Sequence, residues 1–518
     1  MKNNNLFNGF FSKILTKRNP EDMIKKANEA GLEKTLTAFD LIVLGIGAII
    51  GCGIFAAVGI AAAGNPADGV LGAGPALVVS MIIAAFACVF SALCYSEFAT
   101  MIPVAGGAYT YTFATLGEFP AWMVGWVLVL EYLVGYIAVA CAWSSYFMNF
   151  LKGFSNVLPS CITNPPDWLV GVASQNAPHL LSLPICVNIP AIIMVVVSTL
   201  ILIKGTKDST VLTSVMVIIK LAVITLFVLT GMFYIQPDNW VPFAPHGTSG
   251  IFMGAFTIFF AYIGFDALAT TAEECKNPQK DLPIGIIGSL IVTTIVYALV
   301  ALVLTGMYDT SATPVRGFLE APVAFVMNLH HQDLVAGLIS IGALAGLTSV
   351  LLVMQLAATR ILYAMSRDKF LPKIFQKLHP IFKTPHILTL FVGIVAIFGT
   401  LTLDLAKSQQ LCNFGTFTSF IIICIAVLIL RKTDPDRPRP FKVPFSPWFP
   451  LLGIICCGGL MIFSLKDLKD AASLFSIWLL IGVAIYLQYG YIKNRKAELV
   501  NSNETRISNE NDKELVNK

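Results

Sequence analysis

The sequence predicts an all-α polytopic membrane protein, and three observations carry this prediction. Apolar residues make up 56% of the 518-residue chain and charged residues only 12%, about half the charged share of soluble domains. Apolar stretches of about twenty residues recur along the chain. Basic residues concentrate in alternate connecting segments, as in membrane proteins. These observations exclude a soluble enzyme, a disordered protein and a nucleic-acid-binding protein.

Twelve apolar stretches are long enough to be transmembrane spans, and we number them in chain order. They are 36–63, 75–101, 121–150, 188–204, 210–235, 250–275, 283–308, 335–366, 386–404, 411–431, 448–466 and 471–492. At the start of span 1, Thr37 and Asp40 stand in the spacing of a capping box ahead of an apolar run. An even number of spans places both termini on the same side.

The basic residues predict that both termini are cytoplasmic. Of the 34 Lys and Arg residues, 28 fall in the tails and connections that would then be inside, and five fall outside. The N-terminus lacks the pattern of a secretory signal peptide. The chain also has no long outer domain. The missing signal-peptide pattern and the missing outer domain are both expected of a multi-pass protein in a bacterial inner membrane. The remaining basic residue, Lys220, lies near the middle of span 5.

Glycines interrupt span 1, where four of them fall between positions 45 and 53. Each costs a helix roughly 1 kcal/mol relative to alanine. Two explanations are open: the glycines let a neighbouring helix approach closely, or they mark an unwound segment that binds a ligand. Span 6 carries Gly264 and Asp266 in its middle. Interrupted spans five apart predict two five-helix units of opposite orientation, with the ligand site between the interruptions.

The chemistry of such a site favours an α-amino acid. The helix that resumes after Gly51 presents free N–H groups and a partial positive charge, which suit a carboxylate. Carbonyl groups freed at positions 260–263 suit an ammonium group. An α-amino acid carries both charges on one carbon. We expect the chain to be divided into a cytoplasmic tail (1–35), a first repeat (36–235), a second repeat (250–431), two extra helices (448–492) and a disordered cytoplasmic tail (493–518).

Five features of the sequence resemble the amino acid–polyamine–organocation superfamily, and in particular the bacterial relatives of the cationic amino acid transporters. They are GAIIGCGIF (47–55), FFAYIGFDALATTAEECKNPQKDLPIGI (259–286), RILYAMSRDKFLP (360–372), RPRPFKVP (437–444) and the lysine of span 5. The resemblance covers residues 36–490. It implies the LeuT-type fold of five plus five inverted helices with two additional C-terminal helices. It also implies that spans 1 and 6 are unwound around a central amino acid site.

The resemblance assigns roles to individual residues. It implies that the backbone at three residues binds the substrate carboxylate: Ile49, Cys52 and Gly53. It implies that the carbonyls of three others bind the amine, namely Phe260, Ala261 and Ile263, and that the Phe260 ring acts as a gate. Many relatives carry Thr or Ser where this chain has Cys52, a change that a backbone role tolerates.

Two charged residues lie within the predicted spans, where charge is costly. Lys220 is either a titrating amine that replaces a sodium ion and couples transport to protons, or a fixed cation held by carbonyls of span 1. Related proton-coupled members of the superfamily have a lysine at the equivalent place, which favours the titrating amine. If Lys220 were a fixed cation, the protein would instead be an exchanger. Glu131 in span 3 either receives the proton, attracts a cationic side chain, or bonds to neighbouring helices.

The remaining charges near the bundle are expected to be structural. Asp266 would cap or brace the second half of span 6, and Asp368 would belong to an inner gate. Glu97 would be solvated or paired with Lys276 or Arg367. The connection at positions 103–109 contains no Lys or Arg. It either folds back against the bundle as a gate or forms an ordinary tight loop.

Met354 is the residue that bears on whether the substrate is neutral or cationic. In cationic members of the family a small residue tends to occupy this position of span 8, so the resemblance implies that Met354 shortens the pocket and favours neutral over cationic amino acids. Alternatively, Met354 only fills a helix interface, and the chain transports a cationic amino acid or a polyamine.

The sequence thus predicts a proton-coupled importer of amino acids working by alternating access, with an exchanger as the alternative. The expected partners are a free amino acid, protons and the lipid bilayer, with no nucleic acid and no cofactor. No Cys/His pattern indicates a metal, no P-loop indicates ATP use, and no histidine lies deep in a span to indicate an enzyme. A disulfide between Cys161 and Cys186 is left open, and an accessory membrane subunit cannot be predicted.

Overall fold

The structure is a computed structural model, and it is mostly helical. It describes residues 16–29, 36–66, 69–104, 106–171, 179–180, 183–184, 187–205, 209–269, 271–272, 275–311 and 313–488. Within these ranges, eight helices are long and apolar enough to cross a bilayer, or nine if the bent pair Ala38–Ile49 and Gly53–Ala63 counts as one span. The apolar helices Ile189–Lys204, His386–Thr402 and Trp448–Ser464 are shorter. The chain is therefore a polytopic helical membrane protein.

Helices occupy the position of every predicted span, and most ends agree within a few residues. For spans 2 to 12 they are Leu77–Met101, Glu118–Lys152, Ile189–Lys204, Ser209–Gly231, Gly247–Phe259, Pro278–Met307, Asp333–Arg367, His386–Thr402, Leu405–Thr433, Trp448–Ser464 and Lys469–Gln488. The capping box at the start of span 1 is confirmed. The Thr37 side chain accepts a hydrogen bond from the Asp40 N–H, and the Thr37 N–H donates to the Asp40 carboxylate at 2.9 Å.

The span 3 helix is the centre of the bundle. Its most apolar 18-residue stretch is wholly buried, and it packs against the helices of spans 8, 9 and 10. The span 7 helix packs on spans 1 and 2. In contrast, the helices of spans 4, 7, 9 and 11 expose large apolar side chains such as Ile193, Ile295, Phe398 and Ile455. An outer ring of apolar side chains suits a lipid environment, because lipid tails impose no cost on it.

Short elements fill the connections, and the sequence did not predict them. The helix Gly107–Thr115 joins spans 2 and 3 and is buried at every residue, so the connection at 103–109 leads into an element folded against the bundle. The helices Arg316–Glu320 and Pro322–Leu329 lie between spans 7 and 8. Two-residue strands form two small hairpins: Gly64–Asn65 pairs with Val70–Leu71, and His179–Leu180 pairs with Leu183–Pro184.

The expected environment of Glu97 is wrong. Its side chain is 1% exposed rather than solvated, and it pairs with neither Lys276 nor Arg367. Its carboxylate accepts hydrogen bonds from Arg431 at 2.5 and 3.0 Å and from the Val443 backbone N–H at 2.7 Å. The partners come from the end of span 10 and from the segment after it, more than 330 residues away, which sequence spacing does not reveal.

Two predictions concern residues outside the described ranges. Cys186 lies there, so the question of a disulfide with Cys161, which is exposed, stays open. Most of the two predicted cytoplasmic tails lies outside them as well, although the helix Pro20–Glu29 belongs to the first tail.

Candidate functional site

The span 1 helix is interrupted in the glycine-rich segment. Its first part ends at Ile49, and Ile50 has an extended backbone with φ −71° and ψ 104°. The helix resumes with a π-helical turn at Gly53–Ala57, and the two parts differ in direction by 44°. The N–H groups of the first turn after such a break have no acceptor within the helix. This is the chemical basis of the predicted carboxylate site.

Span 6 changes conformation at a corresponding place. The α-helix ends at Phe259, a 3-10 turn follows at Phe260–Tyr262, and Ile263 has an extended backbone. Gly264 then adopts φ +124°, a conformation that side chains with a Cβ rarely adopt. The short helix Asp266–Ala269 completes the segment.

The two interrupted segments touch through their backbones. A Cβ atom on Gly53 would lie 2.1 Å from the Ala261 Cα, and one on Gly264 would lie 2.7 Å from the Ala48 carbonyl oxygen. Only glycine permits such approaches. The glycines of span 1 therefore serve both an interrupted helix and a close helix contact, while binding of a ligand there stays a prediction.

Tyr297 of span 7 bridges the two interruptions, and the sequence analysis missed it. Its hydroxyl lies 3.1 Å from the Ile49 carbonyl oxygen and 2.9 Å from that of Ala261, two residues assigned to the substrate. The side chain is fully buried. The only signal in the sequence was a polar-tipped aromatic residue within an apolar span, and such a residue needs a hydrogen-bond partner when buried.

Lys220 reaches the break of span 1 from span 5. Its Nζ atom donates to the Gly47 carbonyl oxygen and, at 2.7 Å, to that of Ile50. The side chain is fully buried. Within the described part of the chain, no carboxylate lies within 4.0 Å of this nitrogen. A neutral amine has two N–H donors, so both carbonyls can be satisfied whether or not Lys220 carries a proton.

Span 3 supports the break from the other side. The Tyr146 hydroxyl donates to the Phe55 carbonyl oxygen at 2.6 Å. The Cys52 thiol is directed at the Ala138 carbonyl oxygen, 3.9 Å away. Cys52 is thus buried against span 3, and its side chain makes a weak contact that would tolerate replacement by a hydroxyl.

A pair of buried carboxyl groups lies near the second part of span 6. The Tyr132 hydroxyl donates to one oxygen of Asp266 at 2.6 Å, while the other Asp266 oxygen and both oxygens of Glu131 have no hydrogen-bond partner among the described residues. Glu131 also lies against span 10, where a Cβ on Gly415 would be 3.4 Å from its Cβ. Unpartnered buried polar groups are costly, so this pair is a functional candidate.

Met354 lies at a helix interface. A Cβ on Gly135 of span 3 would be 3.5 Å from the sulfur atoms of Met354 and of Cys412 in span 10. The structure thus brings Gly53 against Ala261 and joins Ile49 to Ala261 through the Tyr297 hydroxyl, and it places Met354 of span 8 against spans 3 and 10.

Ion pairs hold the bundle on both sides of this region. Near the N-terminal segment, Asp368 accepts hydrogen bonds at 2.5 Å from Arg18 and from the Tyr109 hydroxyl. At the opposite ends of the helices, Arg316 donates to Asp167 at 2.9 Å and to Glu320 at 2.7 Å. These contacts tie segments that must separate if either side is to open.

Comparison with known proteins agrees with this arrangement. The model of the family described as amino acid permease matches residues 36–487. The methylthioribose transporter of Bacillus subtilis (strain 168) is 41% identical over 95% of this chain and 100% of its own length. The branched-chain amino acid permease BcaP of the same organism is 42% identical over 92% and 97%. The chloroplastic cationic amino acid transporter 9 of Arabidopsis thaliana is 35% identical over 92% and 80%.

These relatives are transporters, and the prediction that the chain is not an enzyme is confirmed. The match spans both interrupted helices, Lys220 and Tyr297. The chain belongs to the amino acid permease family, within the amino acid–polyamine–organocation superfamily and related to the cationic amino acid transporters.

Proposed function

We propose that the chain is a secondary active transporter that imports amino acids together with protons by alternating access. Twelve spans would form two inverted five-helix repeats and two extra helices, with both termini cytoplasmic in a bacterial inner membrane. The helices at all twelve predicted positions and the corresponding interruptions of spans 1 and 6 support this architecture. Paired broken helices are the usual place of a substrate site in such transporters.

The substrate would bind at the two interruptions. N–H groups around Cys52 and Gly53 would hold the carboxylate, and carbonyl oxygens of Phe260 and Ile263 would hold the amine. The Ala261 carbonyl oxygen already contacts Tyr297. It would accept from the amine through its second lone pair, or would turn to the amine when Tyr297 moves. Ile49, which would lie on the carboxylate side, contacts the same hydroxyl through its carbonyl oxygen.

The observation that carries proton coupling is the environment of Lys220. A buried ammonium group with two carbonyl partners and no carboxylate among the described residues beside it is costly. Loss of the proton relieves this cost, and a movement of span 1 relative to span 5 changes the number of carbonyls available. Protonation of Lys220 and the conformation of span 1 would then be coupled, with Glu131 as a second proton site.

A neutral substrate is favoured over a cationic one. Met354 of span 8 is 6% exposed and packs against Gly135 of span 3, and its side chain would shorten the space open to a long substrate side chain. The two Bacillus subtilis relatives, named for branched-chain amino acids and for methylthioribose, are 42% and 41% identical, against 35% for the cationic transporter of Arabidopsis thaliana.

Uptake by proteoliposomes tests this proposal. Wild-type protein should accumulate neutral amino acids from a labelled panel, and an inward proton gradient should increase the uptake. Lys220→Met keeps the side-chain length, removes the charge and should abolish the gradient effect. Lys407→Met, at the start of the span 10 helix, is the matched control and should retain it.

Two results would contradict the proposal in different ways. Uptake that needs a second amino acid inside the vesicle and ignores the gradient would indicate an exchanger, with Lys220 as a fixed cation. Preferential uptake of arginine, lysine or a polyamine would overturn the substrate preference and leave the coupling in place.

A further inference from the structure

A polar cavity, called here the outer cavity, lies at the end of the bundle that is external on the predicted topology. Three segments form it: the outer end of the span 3 helix, the connection between spans 3 and 4, and the short helix Arg316–Glu320. Its volume is about 300 Å³, at the lower end of the range for pockets that hold whole small ligands. The proposed function assigns no ligand to it.

The outer cavity shares two walls with the second part of span 1. The thiol of Cys52 is directed at Ala138 of span 3, and Ser145, which lines the cavity, lies seven residues further along the same helix, about 10 Å outwards. On the other wall, a Cβ on Gly59 of span 1 would overlap the carbonyl oxygen of Phe318 in the short helix. A substrate that arrives from outside would therefore meet the cavity before it reaches the interruption.

Charges of both signs line the outer cavity, and they are unevenly paired. Arg316 donates to one oxygen of Asp167 at 2.9 Å and to one oxygen of Glu320 at 2.7 Å, so this group carries one net negative charge. The second oxygen of each carboxylate accepts no hydrogen bond from the described residues. Lys152, on the span 3 wall, has no carboxylate within 4.0 Å in the described part of the chain. One positive and one negative charge thus remain for a ligand.

These charges indicate the class of ligand. A zwitterion complements them, because its ammonium group can bind the free carboxylate oxygens while its carboxylate binds the lysine. A ligand with a single charge leaves one of the two signs without a partner, and a neutral sugar leaves both. The other polar residues of the lining are neutral and add hydrogen-bonding groups: Ser144, Ser145, Asn149 and Asn164. A free amino acid therefore fits the cavity in charge and in size.

Resting on the proposed function, we propose that the outer cavity is a second binding site, which holds a zwitterionic amino acid before it enters the central site. Asp167 and Glu320 bind its ammonium group, and Lys152 binds its carboxylate. Because the same two carboxylates hold Arg316, the bound amino acid competes with the Arg316–Asp167 contact between the outer segments. Arrival of an amino acid thus weakens the contact that keeps the outer side closed.

Equilibrium dialysis of the purified full-length protein with labelled L-leucine tests the second site. Wild type should bind two equivalents. In Lys152→Met one of them should bind about tenfold more weakly, as expected for the loss of one charge-assisted hydrogen bond, and Lys152→Arg should retain both. In Gly53→Ala, which disrupts the central site, one equivalent should remain. Leucine without its carboxylate (3-methylbutylamine) or without its amine (4-methylpentanoate) should compete for that equivalent at least tenfold more weakly than leucine.

Controls separate the outer cavity from folding and from the wider proposal. Lys466→Met removes an exposed lysine that does not line the cavity and should keep both equivalents, and Lys152→Met alone decides if Gly53→Ala does not fold. Leucine binding that is unchanged in Lys152→Met overturns the outer site alone. A single equivalent that Lys152→Met weakens supports the outer site and contradicts the central one. Failure of every amino acid in the panel to bind overturns the proposed function itself.

Discussion

Tyr297 shows how one hydroxyl can connect two broken helices. It is the single side chain in contact with the carbonyl groups of both Ile49 and Ala261 among the described residues. Since both carbonyls belong to the proposed substrate site, the hydroxyl positions backbone groups that the substrate would use. Its effect on binding should exceed its effect on stability, because one hydrogen bond contributes only about 1 kcal/mol to folding.

Replacing Tyr297 by phenylalanine tests this role. Tyr297→Phe keeps the ring and removes the hydroxyl, so we expect a melting temperature in detergent within a few degrees of wild type. The KM for amino acid uptake should rise about tenfold, because the two segments lose their common partner. Tyr308→Phe, at the end of the same helix, should leave KM unchanged. A large loss of thermal stability with normal KM would show that the hydroxyl is merely structural.

At the level of elements, one buried carboxylate fastens the segment after span 10 to span 2. Glu97 binds Arg431 and the Val443 N–H, and Arg439 also lies 3.5 Å from it. Removing one member of a buried ion pair leaves the other charge uncompensated. The motif RPRPFKVP therefore has a structural explanation that is independent of substrate binding.

Glu97→Gln should destabilise the protein by about 3–5 kcal/mol. The measurement is unfolding in detergent, followed by tryptophan fluorescence. Glu320→Gln is the matched control, since Glu320 pairs with Arg316 at an exposed position, where such pairs contribute about 0.2–1 kcal/mol. Equal effects of the two substitutions would contradict the view that burial makes Glu97 important.

Backbone contact between spans 1 and 6 can be tested at Gly53. In Gly53→Ala the new Cβ would lie 2.1 Å from the Ala261 Cα, so the segments must separate. We expect loss of transport and a stability loss of about 1–3 kcal/mol, as for an overpacked core. Gly459→Ala has no atom within 4 Å of its Cβ and should stabilise its helix by about 0.5–1 kcal/mol. Normal uptake by Gly53→Ala would exclude the close contact.

For the whole molecule, alternating access requires that the contacts of one side break while those of the other remain. Asp368 holds Arg18 and Tyr109 together on one side, and Arg316 holds Asp167 on the other. All these contacts are present in the same structure. The strength of the Asp368 contacts relative to the Arg316–Asp167 contact would determine which side of the bundle opens first.

Amide hydrogen exchange can measure how each set of contacts holds its side of the bundle closed. Asp368→Asn should increase exchange in the helix Gly107–Thr115, which carries Tyr109, by several-fold, and should leave the helix Pro322–Leu329 unchanged. Asp167→Asn should increase exchange in the helix Pro322–Leu329 and leave Gly107–Thr115 unchanged, because Arg316 begins the short helix Arg316–Glu320 that comes just before Pro322. An equal increase in both helices for either variant would indicate general loosening rather than opening of one side.

The class of protein, the positions of the helices and the places where spans 1 and 6 are interrupted follow from the sequence alone. Apolar stretches and their lengths depend only on the cost of burying polar backbone in lipid, so the helices lie at the predicted positions. The glycines of span 1 and Gly264 of span 6 located the interruptions, since glycine tolerates conformations that other residues do not.

Tertiary structure decided which residues meet across the bundle. The contacts of Tyr297 with Ala261 and of Glu97 with Arg431 join residues 36 and 334 positions apart. Neither hydrophobic periodicity nor local propensity encodes contacts between residues so far apart in the sequence. They follow from the packing angles and rotation of whole helices, which depend on every interface at once. The sequence therefore predicted where charge and broken backbone occur, and only the packed bundle decided what satisfies them.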